Sequence, residues 1–166
     1  MKFEFIDSWK GEFIPVDSWK KLFALTAIVL VTFALTFMIV PFAQWRLHFF
    51  QLGIFMAAFV FGPWAGALTG VLASSYNGLF VIANPWIIGG NAILGLFSGI
   101  FLKKFGPMKA VLAAFAIQLP YLYVTDVYLA HMPVNVVYGV IATLAVTTIS
   151  SGFIASKVSP FLANRL

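Results

Sequence analysis

Formally charged side chains are missing from long stretches of the chain. None lies between Arg46 and Lys103, and only Asp126 lies between Lys109 and Lys157. Stretches of that length exceed the roughly 20 apolar residues that one helix needs to cross a bilayer, so turn residues must divide them. Gly62-Pro63 divides the first, and the segment from Tyr76-Asn77-Gly78 to Asn84-Pro85 divides it again. Lys103-Lys104 with Gly106-Pro107 ends the next piece, and Asp126 to Pro133 makes the last break. The pieces predict six helices: Leu22–Val40, Leu47–Phe61, Trp64–Val81, Pro85–Leu102, Pro107–Leu129 and Pro133–Ser156. The second, at about 15 residues, is expected to tilt or to stop below one surface. Asn84 and Pro85 read as the N-cap and first-turn proline of the fourth, and Pro120 as a kink in the fifth. The expected fold class is an all-α membrane protein. Its six-helix transmembrane domain occupies residues 22–166, after an interfacial N-terminal segment, residues 1–21.

Composition agrees with a lipid solvent. Of 166 residues, 62% are hydrophobic and 9% charged, against roughly half and a quarter in a soluble domain. The absence of cysteine excludes disulfides and thiolate metal sites. The net charge of +5 sits at the ends of apolar runs, with no basic stripe to follow a phosphate backbone, so nucleic acid is set aside as a partner. With six spans, Lys2, Lys10, Lys20, Lys21, Lys103, Lys104, Lys109, Lys157 and Arg165 share one side with both termini, and Arg46 alone faces the other. That asymmetry predicts cytoplasmic N and C termini in the cell membrane. The first 21 residues lack an apolar core before a cleavage site and do not read as a secretory signal. They repeat Asp-Ser-Trp-Lys at Asp7–Lys10 and Asp17–Lys20, a pattern that suits the headgroup layer. Asp17 is a candidate cap for the first helix.

Helices associate in lipid through small residues that let backbones approach. Gly62, Gly66, Gly70 and Ser74 recur every four residues in the third helix, and Asn91, Gly95 and Gly99 do so in the fourth. Ala110, Ala114 and Gln118 share a face in the fifth, as do Thr143, Thr147, Ser151 and Ala155 in the sixth. Most of these positions read as packing.

The remaining polar groups gather at the end away from the lysines. Gln44, Arg46, His48 and Gln51 fall in or near the first outer loop, Tyr76, Asn77 and Asn84 in the second, and Asp126, Tyr128, His131 and Asn135 in the third. Trp86, Asn91, Gln118, Tyr121, Tyr123 and Tyr138 lie just inside. Polar groups at membrane depth are costly and should face the interior. Converging among apolar walls, they resemble the lining of a small-molecule pocket. The candidate substrate-binding residues are Arg46, His48, Asn84, Trp86, Asn91, Gln118, Tyr121, Asp126 and Tyr138. Tyr128 and Trp45 suit the interfacial belt, and Arg46 could equally pair with Asp126. Two isolated histidines give no metal-ligand spacing. No carboxylate pair, activated serine or Gly-Lys-Ser loop supports an enzyme or a self-powered pump, and no cofactor is expected.

The stretch Phe61-Gly62-Pro63-Trp64-Ala65-Gly66-Ala67-Leu68-Thr69-Gly70-Val71-Leu72-Ala73-Ser74, followed by Asn91–Gly99 and Lys103-Lys104, resembles the substrate-binding S component of energy-coupling factor (ECF) vitamin transporters. The resemblance implies a pocket near the outer surface, built from helices four to six and the outer loops, that takes a vitamin-like metabolite. It implies a transmembrane T component and two cytosolic ATPases as partners. The family's first helix often carries Ala-x-x-x-Ala for coupling; here Ala24 and Ala27 are three apart, while Thr32 and Thr36 have the spacing without the residue. The histidine-bearing N-terminus of the nickel and cobalt branch is absent, so an organic ligand, with a planar ring to suit the many aromatics, is expected. A small six-span scaffold of the MreD type, or a lipid- or isoprenoid-binding subunit, is the alternative.

Overall fold

The computed structural model describes residues 14–42 and 45–166, with 39, 42, 45 and 46 described through their backbone alone. The first Asp-Ser-Trp-Lys repeat, Gln44 and the Arg46 side chain lie outside the described residues. Helix α1 (Trp19–Leu35) leads into a hairpin of β1 (Ile39–Phe42) and β2 (Trp45–His48). Then come α2 (Gln51–Phe61), α3 (Pro63–Tyr76), α4 (Trp86–Phe105), α5 (Pro107–Val124) and α6 (Val134–Ala163). α3 and α5 each run on into a π-helical turn, Asn77–Val81 and Thr125–Leu129. These turns are closed by Ile82 N–H donating to the Asn77 carbonyl and Ala130 N–H to the Thr125 carbonyl, each at 2.8 Å.

Corners follow from local chemistry. Gly62 (φ 92°) and Gly106 (φ 74°) end α2 and α4 in the left-handed region, and the proline after each starts the next helix with its φ preset. At α1 the cap is Ser18, whose hydroxyl accepts from Lys21 N–H at 3.3 Å. Asp17, expected in that role, stands one residue too early and pairs with the Lys21 ammonium at 2.8 Å.

The hairpin corrects the expected helix boundaries. Val40 does not belong to the first helix, nor Leu47 to the second; they face each other across antiparallel strands, as Ile39 faces His48 and Pro41 faces Arg46. Proline disfavours helix in the residue before it, and Ile39 and Val40 are β-branched. A two-stranded ribbon has open edges, so the missing Pro41 N–H is tolerated.

Helix α2 is correspondingly only 11 residues long, about 16 Å. Every one of its residues except Leu52 is buried, as its uniformly apolar surface requires. α6 passes the expected end at Ser156 and runs to Ala163, 30 residues in all. Among the described residues three helical segments are long and apolar enough to cross a membrane: Trp86–Phe105, Pro107–Leu129 and Val134–Ala163. The protein is thus a helical membrane protein with one short hairpin.

The small-residue spacing has a specific partner. A Cβ at Gly70 would stand 2.7 Å from the Asn91 carbonyl carbon, one at Gly66 2.7 Å from the Gly95 carbonyl oxygen, and one at Gly99 2.6 Å from Pro63 N. α3 and α4 therefore meet backbone to backbone. Ser74, on the same face, is buried and returns its hydroxyl to the Gly70 carbonyl at 2.6 Å. Phe55, Phe59, Leu94, Val111 and Phe115 join α2, α4 and α5 in the main core cluster. Ala24 packs on a second cluster around Leu25, Val60 and Phe61. Ala27 lines an apolar groove between α1, α2 and α6. Thr32 and Thr36 are buried, and Thr32 lies against Gly53 of α2, so that pair faces inward.

Candidate functional site

A cavity of about 340 Å³ opens where α4 and α6 begin and α5 ends. It is lined by His48 and Phe50 at the entry to α2, Ile82, Asn84, Trp86 and Ile87 at the entry to α4, and Gly90 and Asn91 one turn deeper. α5 and its π turn add Gln118, Tyr121, Leu122, Thr125 and Asp126; Met132, Val140, Thr143, Leu144 and Thr147 complete the wall. Thr147 is about 20 Å along α6 from Val134, so the cavity reaches deep into the bundle.

Its polar groups are held from below by small residues. Gly89 and Gly90 open the face of α4 to α5: a Cβ at 89 would meet Tyr121 Cζ at 3.0 Å, and one at 90 would sit 3.4 Å from Gln118 Nε2. Tyr121 uses this space to donate its hydroxyl to the Trp86 carbonyl at 3.1 Å. The close α3–α4 seam takes up the backbone of Asn91 while its side chain lines the cavity. Asn91 and Gln118 are each 3% exposed, and Gln118 Oε1 has no hydrogen-bond partner among the described residues.

Asn84 locks the rim. Its Oδ1 accepts from Trp86 N–H at 3.2 Å; α4 begins at Trp86 with Pro85 in the cap position, so Asn84 stands one residue before the cap expected of it and Pro85 is not in the first turn. Its Nδ2 donates to Asp126 Oδ1 at 2.7 Å, tying α4 to the π turn after α5. Both groups are buried, at 3% and 4% exposure. Ala83 and His131, at φ 54° and 53°, hold left-handed conformations in the two loops beside the cavity. Such conformations cost non-glycine residues on the order of 1–3 kcal/mol and persist where surrounding structure imposes them.

Of the residues singled out from the sequence, His48, Asn84, Trp86, Asn91, Gln118, Tyr121 and Asp126 share this one cavity. Tyr138 does not: it is 60% exposed and lies against the Tyr123 ring, 6.4 Å between centroids. Tyr128 is exposed too, as an interfacial ring should be. Asn77 serves packing, donating to the Thr36 carbonyl at 3.1 Å. Whether Arg46 faces Asp126 lies outside the described residues. Thr143 and Thr147, on the small-residue stripe of α6, line the wall rather than only packing, while Ser151 and Ala155 below them are buried. Phe50, Ile82, Thr125 and Met132 also escaped the sequence reading; only the polar stripe on α6 held a signal.

No protein-family model matches the sequence, and no curated protein does. A solved structure, the S component of a bacterial ECF transporter, aligns with a TM-score of 0.61 at 23% identity, covering 87% of this chain and 93% of that one. With its glycine seam, short central helix and polar cavity at one end, this chain has the fold of an ECF S component.

Proposed function

We propose that the chain is the membrane substrate-binding subunit of an ECF-type transporter, taking up a vitamin-like small organic metabolite. The observation that carries this reading is the cavity itself. Three buried polar side chains, Asn91, Gln118 and Asp126, converge on a space of about 340 Å³ within the fold of an ECF S component. That volume lies at the lower end of small-molecule pockets, about 300–1,000 Å³. A buried amide oxygen costs stability unless it is bonded, so the unpartnered Gln118 Oε1 on a cavity-lining side chain is suited to a ligand.

In this reading six spans place both termini in the cytoplasm, as the lysine distribution requires, and the cavity faces outward. The chain has no nucleotide-binding loop. Transport would draw on a transmembrane T component and two cytosolic ATPases, with lipid around the remaining surface. The protein binds and releases; it performs no covalent chemistry.

The test is to purify the protein in detergent, denature it, and identify released small molecules by mass spectrometry. A water-soluble metabolite near one per chain is expected, strongly depleted in the Asn91→Ala/Gln118→Ala double variant. Each lost hydrogen bond is worth about 1 kcal/mol, roughly fivefold in affinity. Phospholipid alone, with nothing bound after incubation with a vitamin mixture, would refute a substrate-binding role and favour a scaffold.

A further inference from the structure

Resting on that reading, the cavity's hydrogen-bond inventory narrows the chemistry of its ligand. Most polar groups on the wall have already committed their protons to the protein. Asn84 donates to Asp126 Oδ1, Tyr121 to the Trp86 carbonyl, and Thr125 to the Tyr121 carbonyl at 2.9 Å. Thr143 donates to the Val140 carbonyl at 2.9 Å and Thr147 to the Thr143 carbonyl at 3.1 Å. A hydroxyl has one proton and two lone pairs, so the Tyr121, Thr125, Thr143 and Thr147 oxygens keep accepting capacity only, while Asn84 retains one of its two N–H groups. Asn91 and Gln118 are neutral amides that give as much as they take, and Trp86 has a single indole N–H.

Charge points the same way. Asp126 is the only acidic or basic side chain on the described wall apart from His48, and it forms no ion pair among the described residues. Its Oδ1 is engaged by the neutral Asn84, which leaves Oδ2 as an acceptor. A ligand bearing a carboxylate or phosphate would meet the Asp126 carboxylate and four hydroxyl oxygens whose protons are already used, with no described lysine or arginine on the wall to match it. A protonated amine or amidine, or a ring amine, would find the partner it needs. Phe50, Trp86 and Tyr121 supply aromatic surface beside it, where a cation is also favoured.

We propose that the cavity selects a ligand with a hydrogen-bond-donating, preferably cationic nitrogen group, seated at Asp126 and Gln118, and discriminates against organic anions.

The released metabolite is the first readout: an amine, amidine or amino-substituted ring supports the proposal, while a carboxylic acid or phosphate overturns it and leaves the substrate-binding role intact. The second readout uses ligand-stripped full-length protein and three pairs of matched shape: tryptamine and indole-3-acetate, benzamidine and benzoate, adenine and hypoxanthine. Isothermal titration should show the first member of each pair binding at least tenfold more tightly. Asp126→Asn keeps the shape and the acceptor facing Asn84, and should weaken tryptamine and benzamidine by at least tenfold while changing hypoxanthine little. If Asp126→Asn fails to fold, Gln118→Glu adds a second acidic group to the same wall and should tighten both cations. Preference for the second member of a pair, or cation affinity that neither substitution moves, overturns the proposal alone. No metabolite and no binding by any probe overturns both this proposal and the substrate-binding role.

Discussion

Replacing Gly66 by alanine tests the α3–α4 seam where α2 also closes on it. A Cβ there would stand 2.6 Å from the Ala58 Cβ of α2 and 2.7 Å from the Gly95 carbonyl oxygen of α4. Carbon atoms in contact need about 3.5–4.0 Å, so α3 must retreat by about 1 Å. Neither neighbour can yield by changing rotamer: one is a methyl group 1% exposed on a helix buried all round, and the other is backbone. Overpacking of this kind costs about 1–3 kcal/mol. For a chain of this size that lowers the midpoint of thermal unfolding by about 2–12 °C. The assay is thermal unfolding in mild detergent, followed by tryptophan fluorescence. The control is Leu68→Ala on the same helix, where the side chain is 40% exposed and little should change. Because α4 carries Asn91, ligand affinity should fall together with stability in Gly66→Ala. The seam argument is refuted if Gly66→Ala unfolds at the wild-type temperature, or if Leu68→Ala is equally damaging.

Three further outcomes follow from the same geometry. Gln118→Leu removes a buried oxygen without a partner among the described residues, so the ligand-free protein should gain about 1 kcal/mol in thermal unfolding while ligand affinity drops in titration calorimetry. Asn84→Ala strips both the Asp126 hydrogen bond and the acceptor for Trp86 N–H; it should cost about 1–3 kcal/mol and speed hydrogen exchange at the start of α4. The Asp17 carboxyl is held below its ordinary 3.8 by the hydrogen bond from Lys21. Its contribution to the start of α1 is therefore present above about pH 4 and lost as pH falls through the lowered value. A carbon-detected NMR titration of Asp17 should show that displacement in the wild type and lose it in Lys21→Met.

The sequence alone determines the solvent and most of the helix boundaries. Charge-free stretches require lipid, and the Gly-Pro pairs and Asn84-Pro85 mark where α3, α4 and α5 begin to within a residue or so, because they act through local backbone preference. The glycine spacing of α3 and α4 was likewise legible, since period four brings residues to one helical face. Tertiary structure decides what depends on neighbours. The segment from Ile39 to His48 is apolar enough for either helix or strand, and pairing across the hairpin settles it. The direction of a polar side chain is another such case. Tyr138 looks outward while Thr143 and Thr147 look into the cavity, because α6 presents a different side to α5 than a count of polar residues suggests. The π turn after Val124 adds width that a regular 3.6-residue repeat does not anticipate, and it places Asp126 against Asn84, 42 residues away along the chain. A residue's type sets what it can bond; only packing sets what it meets.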